Sequence, residues 1–499
     1  MGVSDEPMQL TGSTLAPEGV AMIARESCPV SLAPEALERM AQGRAVVERH
    51  LAAGKPVYGM TTGLGARVVH RLDDAALADF SRLTVLGRSN AVGERLPREL
   101  VRATMAVRLN GLLLGGAGVQ VAVARHLAAA LNAGFHPVMP SIGSIGAGDL
   151  CVLACMARAL IGDGEAEVGG AVLPAVEALA KAGIEPLMLG PKDGLSLCNA
   201  SAFSAGLATL VFHDARGLLE QSQAAAALAL EGFRASTSPL DPRCIAARPA
   251  PGQDRAAAEL LALLEGSDLL EPGAARRLQD PLSLRCVAQI NGTAFAALDF
   301  LRPAVDAELN GTCDNPLVLI EDGEILSTGN FHTTALALAL ETLAQAFAHM
   351  AAASASRTTR LMTGRLSELP DNLSAQGSGR SGFAPLSKVL ESLIQEIRHL
   401  ALPAPQEQRW GADGVEDDVN ATPLSAKKAR DLLARVRYVL AIECLVAAQA
   451  VDLRDGIRLG RGTARLHAAI RAAVPALADD RPHGPDVETL TAVLDTYRL

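Results

Sequence analysis

The chain has 499 residues, enough for a large buried core and more than one compact unit. Its net charge of −10, with no basic run of five or more, excludes a nucleic-acid surface. The 8 cysteines form no CxxC pair and Cys151 and Cys155 have no histidine cluster beside them, so the expectation is reduced, packed thiols and no metal site.

Residues 1–72 read as a small mixed lobe. The β-prone pieces "STLAP" and "KPVYGMTTG" flank a helix with Ser31 as its N-cap and Pro34 in its first turn. The N-terminus has neither a basic start nor an apolar run, so no signal peptide is expected. From residue 73 onward helix dominates. "RELVRATMAVRLNGLLLGGAGVQVAVARHLAAALNAG" repeats apolar residues at three and four, with Gly134 as its stop. The stretches 150–161, 202–230 and 333–355 are apolar almost all round. Such helices need cover on every face, from a thick bundle or from sister subunits.

Polar, Gly/Pro-rich loops are expected at 232–255, 363–384 and 402–424, and "PLVLIEDGEIL" predicts a hairpin around Asp322-Gly323. No uncharged apolar run reaches the ~18 residues of a membrane span, so no membrane partner is expected and the protein reads as cytoplasmic. The fold class is mainly α: a long-helix bundle with a small mixed N-terminal lobe. Its segments are 1–72, a central bundle with active-site loops over 73–425, and C-terminal helices over 426–499.

The stretch "PSIGSIGAGDLCVLA" (140–154) clusters glycine and serine around one carboxylate and runs into an apolar helix. It can be a phosphate cradle, a sharp turn, or a backbone poised to react with itself. A phosphate loop needs a preceding strand and a Lys-Ser/Thr pair after the glycines, and neither this stretch nor "GLGARV" or "GSGRSG" provides them.

Read with "VYGMTTGLG" (57–65), "RLNGLLLGGAGV" (108–119), "KDGLSLCNAS" (192–201), "LQDPLSLRCVAQ" (278–289), "TCDNPLVL" (312–319) and "GNFHTTALALALE" (329–341), the third meaning fits. These ordered motifs resemble the aromatic amino acid ammonia-lyases, the family of histidase and phenylalanine ammonia-lyase. The resemblance implies the ammonia-lyase type of helix bundle and a homotetramer whose sites are built by several subunits. In that family the glycine segment reads GSxGASGDL, and its Ala-Ser-Gly closes into methylidene imidazolone (MIO), an electrophile that makes ammonia a leaving group. Here Gly146, Ala147 and Gly148 stand at that place, one residue short, and the missing residue is the serine. The exocyclic methylene comes from losing a β-hydroxyl, which Ala147 lacks, and Ser144 lies before Ile145. The expectation is therefore no MIO and no other cofactor.

The resemblance assigns the remaining site residues. Tyr58 matches the tyrosine that removes the β-proton. A phenol's usual pKa is about 10, so that work needs electropositive neighbours. Arg285 matches the arginine that grips the substrate carboxylate, a task its planar fork suits; an ion pair with Asp280 or Glu416 is the competing role. Asn199, Gln279, Asn315 and Asn330 match polar residues of the site, each otherwise a loop or cap residue. Phe331 matches a pocket-closing phenylalanine that could equally be core. Glu416, in "GVEDDVN", matches the glutamate of the family's QEDHVS segment, with a solvated acidic turn as the alternative. Two positions depart: Leu282 replaces a second tyrosine, and Asn90 stands where many members have histidine.

The clamp and one phenol are kept while the electrophile and second phenol are lost. That pattern implies a changed reaction over a retained site: an MIO-independent lyase or isomerase acting on a carboxylate-bearing, amino-acid-like substrate. A conventional histidine or aromatic amino acid ammonia-lyase or aminomutase is one alternative. A catalytically silent ligand-binding or scaffold subunit is the other.

Overall fold

The computed structural model describes residues 6–54, 57, 62, 74–377, 379–404, 411, 414–454 and 456–496. Helix dominates them, as the Ala- and Leu-rich periodicity predicts. The longest helices are Ala202–Phe233, Val287–Asn310, Thr334–Met362 and Thr422–Asp452, three of which begin within the motif segments or directly after them. The most apolar window within Asp193–Phe233 is 100% buried, which is how a helix without a polar stripe is accommodated in protein.

Residue contacts divide the chain into two compact units, each assembled from separated stretches. The first comprises Met1–His213, Arg302–Leu340 and Ala404–Lys427. All the described strands lie in it, in small sheets. Met8–Leu10 pairs in parallel with Val30–Leu32, and Val92–Arg95 pairs antiparallel with Pro140–Ile142, Val92 opposite Ile142. Glu165–Val168 lies between His136–Pro137 and Ala171–Pro174. Leu317–Leu319 and Glu324–Leu326 form the hairpin expected around Asp322-Gly323.

At the centre of this unit the helix Arg98–Leu112 is buried from Leu100 through Leu112. Its two inward arginines are compensated. Arg102 donates to the carbonyls of Ile23 (2.7 Å) and Leu131 (3.0 Å), and Arg108 pairs with Asp314 at 2.7 Å. A charge this deep is tolerated where an ion pair or several hydrogen bonds replace its hydration.

The second unit comprises Asp214–Leu301, Glu341–Pro403 and Lys428–Leu499, and its described regular structure is helical. Helices Thr422–Asp452, Arg461–Ala473 and Gly484–Thr496 account for the expected helical tail. Its core holds one fully buried fork: Arg357 Nε reaches Glu443 Oε1 at 2.6 Å and Nη2 reaches Oε2 at 3.0 Å, with the Ser354 hydroxyl donating to Oε2 at 2.5 Å.

Two local expectations change. Ser31 is not a helix cap but lies inside the strand Val30–Leu32; the helix runs Pro34–Ala52 with Ala33 as its cap. Proline at the first helical position sets that start, and it needs no polar side chain in front of it. The apolar repeat over 98–134 is two helices, Arg98–Leu112 and Val121–Asn132, because the glycine-rich 115–118 stretch interrupts it. Gly134 follows the second helix, as the sequence predicts.

Candidate active site

The glycine segment is a sharp turn between the strand Pro140–Ile142 and the helix Leu150–Leu160. Gly146 and Gly148 both take positive φ, +87° and +76°. A Cβ at Gly146 would lie 1.7 Å from Asn420 Oδ1, and one at Gly148 would lie 2.8 Å from Asn199 Oδ1. Only glycine meets both the backbone sign and the space. The segment 329–334 lies alongside: Ala147 forms an antiparallel bridge with His332, and Gly148 N–H donates to the Phe331 carbonyl at 3.1 Å. The Gly146 carbonyl accepts from Asn420 Nδ2 at 2.8 Å and from the Thr333 hydroxyl at 3.0 Å.

Asp149 anchors the turn from behind. It is fully buried and accepts from the hydroxyls of Ser144 (2.5 Å) and Ser204 (2.7 Å) and from Ser204 N–H (2.8 Å). Burial pushes its pKa up and these donors pull it back. Ser144 Oγ also accepts from Gly146 N–H at 3.1 Å. The segment's remaining hydroxyl is thus committed to holding the bend. Glu308 lies near Asp149, hydrogen-bonded by the Ser201 hydroxyl. Burial, with a smaller contribution from Asp149, pushes its pKa up to about 7.

Several predicted residues converge on this turn. Asn199 is buried at the end of the helix Asp193–Cys198 and donates to the Asn315 carbonyl at 3.0 Å. Asn315 Oδ1 accepts from Thr328 N–H (2.9 Å) and the Ser327 hydroxyl (3.1 Å). Asn330 donates to the Thr312 carbonyl at 3.3 Å. Phe331 takes part through its carbonyl, with its side chain half-buried. Asn90 is exposed, donating to the Gly87 carbonyl at 2.8 Å; its neighbour Ala91 lies 3.1 Å from where a Gly143 Cβ would be. Glu416 is exposed and paired through its backbone with Gly411, and the chain beyond it returns to the turn where Ala421 N–H meets the Ile145 carbonyl at 3.2 Å. Tyr58 lies outside the described residues.

Gln279, Leu282 and Arg285 belong to the second unit. Gln279 is exposed, and Leu282, 64% exposed, opens the short helix Leu282–Arg285 behind Pro281. Arg285 forms no ion pair among the described residues, and its Nε is shut from solvent without a hydrogen-bond partner. Asp280, the competing partner, instead accepts from Ser236 N–H at 2.6 Å. Asp280 Oδ1, Ser283 Oγ and Gln289 Oε1 are likewise buried and unpartnered.

Sequence reasoning passed over His332, Asp418 and Asn420. Asn420 Oδ1 accepts from the Thr422 hydroxyl at 2.6 Å while its Nδ2 holds Gly146, and His332 Nε2 lies 3.3 Å from Asp418 Oδ2. The signal was in the letters: "EDDVN" departs from the family's EDHVS at 418 and 420, the two positions that reach His332 and the turn.

The aromatic amino acid lyase family model matches residues 15–472. A histidine ammonia-lyase of Anaeromyxobacter sp. (strain K) is 41% identical, over 98% of this chain and 99% of its own length. One of Gloeobacter violaceus is 38% identical over 97% and 95%. Among solved structures, the ergothioneine-degrading ergothionase of Treponema denticola, in complex with desmethyl-ergothioneine sulfonic acid, superposes with a TM-score of 0.93 at 32% identity. It covers 98% of this chain and 99% of that one. A tyrosine aminomutase of Streptomyces globisporus gives 0.92 at 31% identity, over 98% and 97%.

Proposed function

Because the chain belongs to the aromatic amino acid lyase family, whose members here are carbon–nitrogen lyases and isomerases, we propose that it eliminates a tertiary amine from a quaternary-ammonium amino acid without MIO. The observation that carries this is the absence of a hydroxymethyl group between Gly146 and Asp149. The surrounding bonds support it. Ring closure would consume the Gly146 carbonyl oxygen and the Gly148 N–H, and both are engaged, by Asn420 and Thr333 on one side and Phe331 on the other. Even a closed ring would carry a methyl group where the alkene is needed. The residues present do not fit the group, and no step runs through it.

The chemistry then constrains the substrate. A primary α-ammonium loses a proton far more readily than a β-carbon does, so a phenolate base would take that proton first. The result is a neutral amine that would have to depart as an amide anion. A quaternary nitrogen has no proton to lose and leaves as a neutral tertiary amine. Ergothioneine is by its chemistry a trimethylated, sulfur-bearing histidine, which makes this substrate class the natural one to carry over from the Treponema denticola enzyme.

In the step proposed, Tyr58 takes the β-proton. The C–H electrons form the Cα=Cβ bond, the Cα–N bond breaks onto nitrogen, and the phenol returns its proton to water. Arg285 holds the carboxylate; what supports this is that its guanidinium has no carboxylate partner among the described residues. The exposed Leu278, Leu282 and Phe300 support a homotetramer in which sister chains cover them.

Incubation with a trimethylbetaine of histidine or mercaptohistidine, and separately with histidine, tests the reading by assaying tertiary amine, ammonia and the unsaturated acid. Amine release from the betaine is expected. Tyr58→Phe should slow it by about 10²–10⁴-fold while leaving ligand binding nearly intact. The 41% identical relative favours a second reading, histidine ammonia-lyase; ammonia from histidine with an inert betaine would establish it. Saturable binding without product from either would leave a silent binding subunit.

A further inference from the structure

His332 lies beside Ala147, at the place where the family's electrophile would stand, and its ring orientation can be read from its neighbours. Nδ1 lies 2.7 Å from the Thr334 hydroxyl and 3.4 Å from Asn420 Nδ2. The Asn420 amide nitrogen can only donate, its oxygen being committed to Thr422 N–H (3.1 Å) and the Thr422 hydroxyl (2.6 Å). Nδ1 must therefore accept, which places the ring proton of neutral His332 on Nε2. Nε2 faces Asp418 Oδ2 across 3.3 Å without closing a well-angled hydrogen bond.

A neutral imidazole leaves the Asp418 charge unneutralised. Among the described residues Asp418 forms no ion pair with lysine or arginine, and its side chain is 60% exposed. The sequence makes this an exchange: the family's segment has histidine at the position of Asp418, so a side chain able to carry positive charge has become an anionic one beside His332.

Resting on the reading above, we infer that Asp418, which lies beside the His332 ring, is the specificity residue for the substrate's cationic nitrogen. It selects a permanently charged quaternary ammonium by Coulomb attraction that needs no N–H donor. A histidine at 418 would repel that cation or leave it unpaired. Asn420 contributes by fixing the His332 ring, against which the carboxylate lies. At ~5 Å and an effective dielectric between those of a protein surface and of water, one such charge pair is worth about tenfold in affinity.

Equilibrium binding to the full-length protein separates this claim from the catalytic one. The probes are the trimethylbetaine of histidine and imidazolepropionate, which has the same ring and carboxylate but no α-nitrogen. The native chain should bind the betaine about tenfold more tightly, and the margin should shrink as salt rises, because Asp418 is exposed. Asp418→Asn and Asp418→His should erase the margin while leaving imidazolepropionate binding within about twofold, and Asp418→Glu should retain most of it. Unaltered imidazolepropionate binding shows that the variants are folded. A margin that survives Asp418→Asn, or a native chain that does not prefer the betaine, overturns the inference. A margin that behaves as expected in a protein releasing no tertiary amine refutes the elimination chemistry and leaves the specificity residue standing.

Discussion

At the glycine turn almost every polar group has a partner within the chain: the Gly146 carbonyl, the Gly148 amide, the Ser144 hydroxyl and both Asp149 oxygens. Along 280–289 the reverse holds, with Asp280 Oδ1, Ser283 Oγ, Arg285 Nε and Gln289 Oε1 buried and unpartnered. Buried polar groups left unpaired cost about 1–3 kcal/mol each, so a chain retains them where something else completes them. In the ammonia-lyases the first region supplies the reactive group and the second grips the substrate. Here the first is closed upon itself while the second keeps buried polar atoms without partners, the balance that our proposal of a retained binding site without the electrophile calls for.

The comparison can be broken first at its anchor. Asp149→Ala strips the acceptor from the hydroxyls of Ser144 and Ser204 and from Ser204 N–H, and a loss of about 3–4 kcal/mol in unfolding free energy is expected, read as a lower denaturation midpoint. A midpoint within a degree of the native value would mean the turn does not depend on that carboxylate. On the open side, Arg285→Gln should raise KM by about 30- to 100-fold, the ~2–3 kcal/mol of a charged bidentate contact, with kcat less affected. A change confined to kcat would contradict the clamp.

Gly146→Ala should cost about 2 kcal/mol, from its positive φ and the collision with Asn420. Pairing it with Asn420→Ser, the family's letter, should recover the steric part but not the backbone part, so the two substitutions should prove non-additive. The smallest effect concerns Glu308. Its pKa is raised from 4.5 to about 7, so protonation favours the folded state. The stability it contributes is complete below about pH 4.5 and is lost as pH rises through about 7. After allowance for solvent screening this amounts to on the order of 2 kcal/mol. Glu308→Gln should flatten the profile and raise the thermal midpoint at pH 8; an unchanged slope would rule the group out.

Much of this is legible in the sequence. Helical periodicity carries the long helices because burial on all faces leaves a continuous apolar record, as in 202–230. Asn199 and Asn315 were legible through motif order, and the chain brings them into contact. What the letters hid depends on partners distant along the chain. His332, Asp418 and Asn420 acquire meaning only when 329–334 and 416–422 are laid against the turn. Ser31 misled for a local reason: a good capping residue was outweighed by strand pairing with residues 8–10 and by the proline that starts the helix.

The most direct test is the intact mass of the purified protein, followed by the mass of the peptide spanning 140–154. The sum of the encoded residues, with no near-ultraviolet chromophore, is predicted. A deficit of two water molecules located at 146–148 would show that this backbone builds the electrophile after all, and would contradict an MIO-independent enzyme.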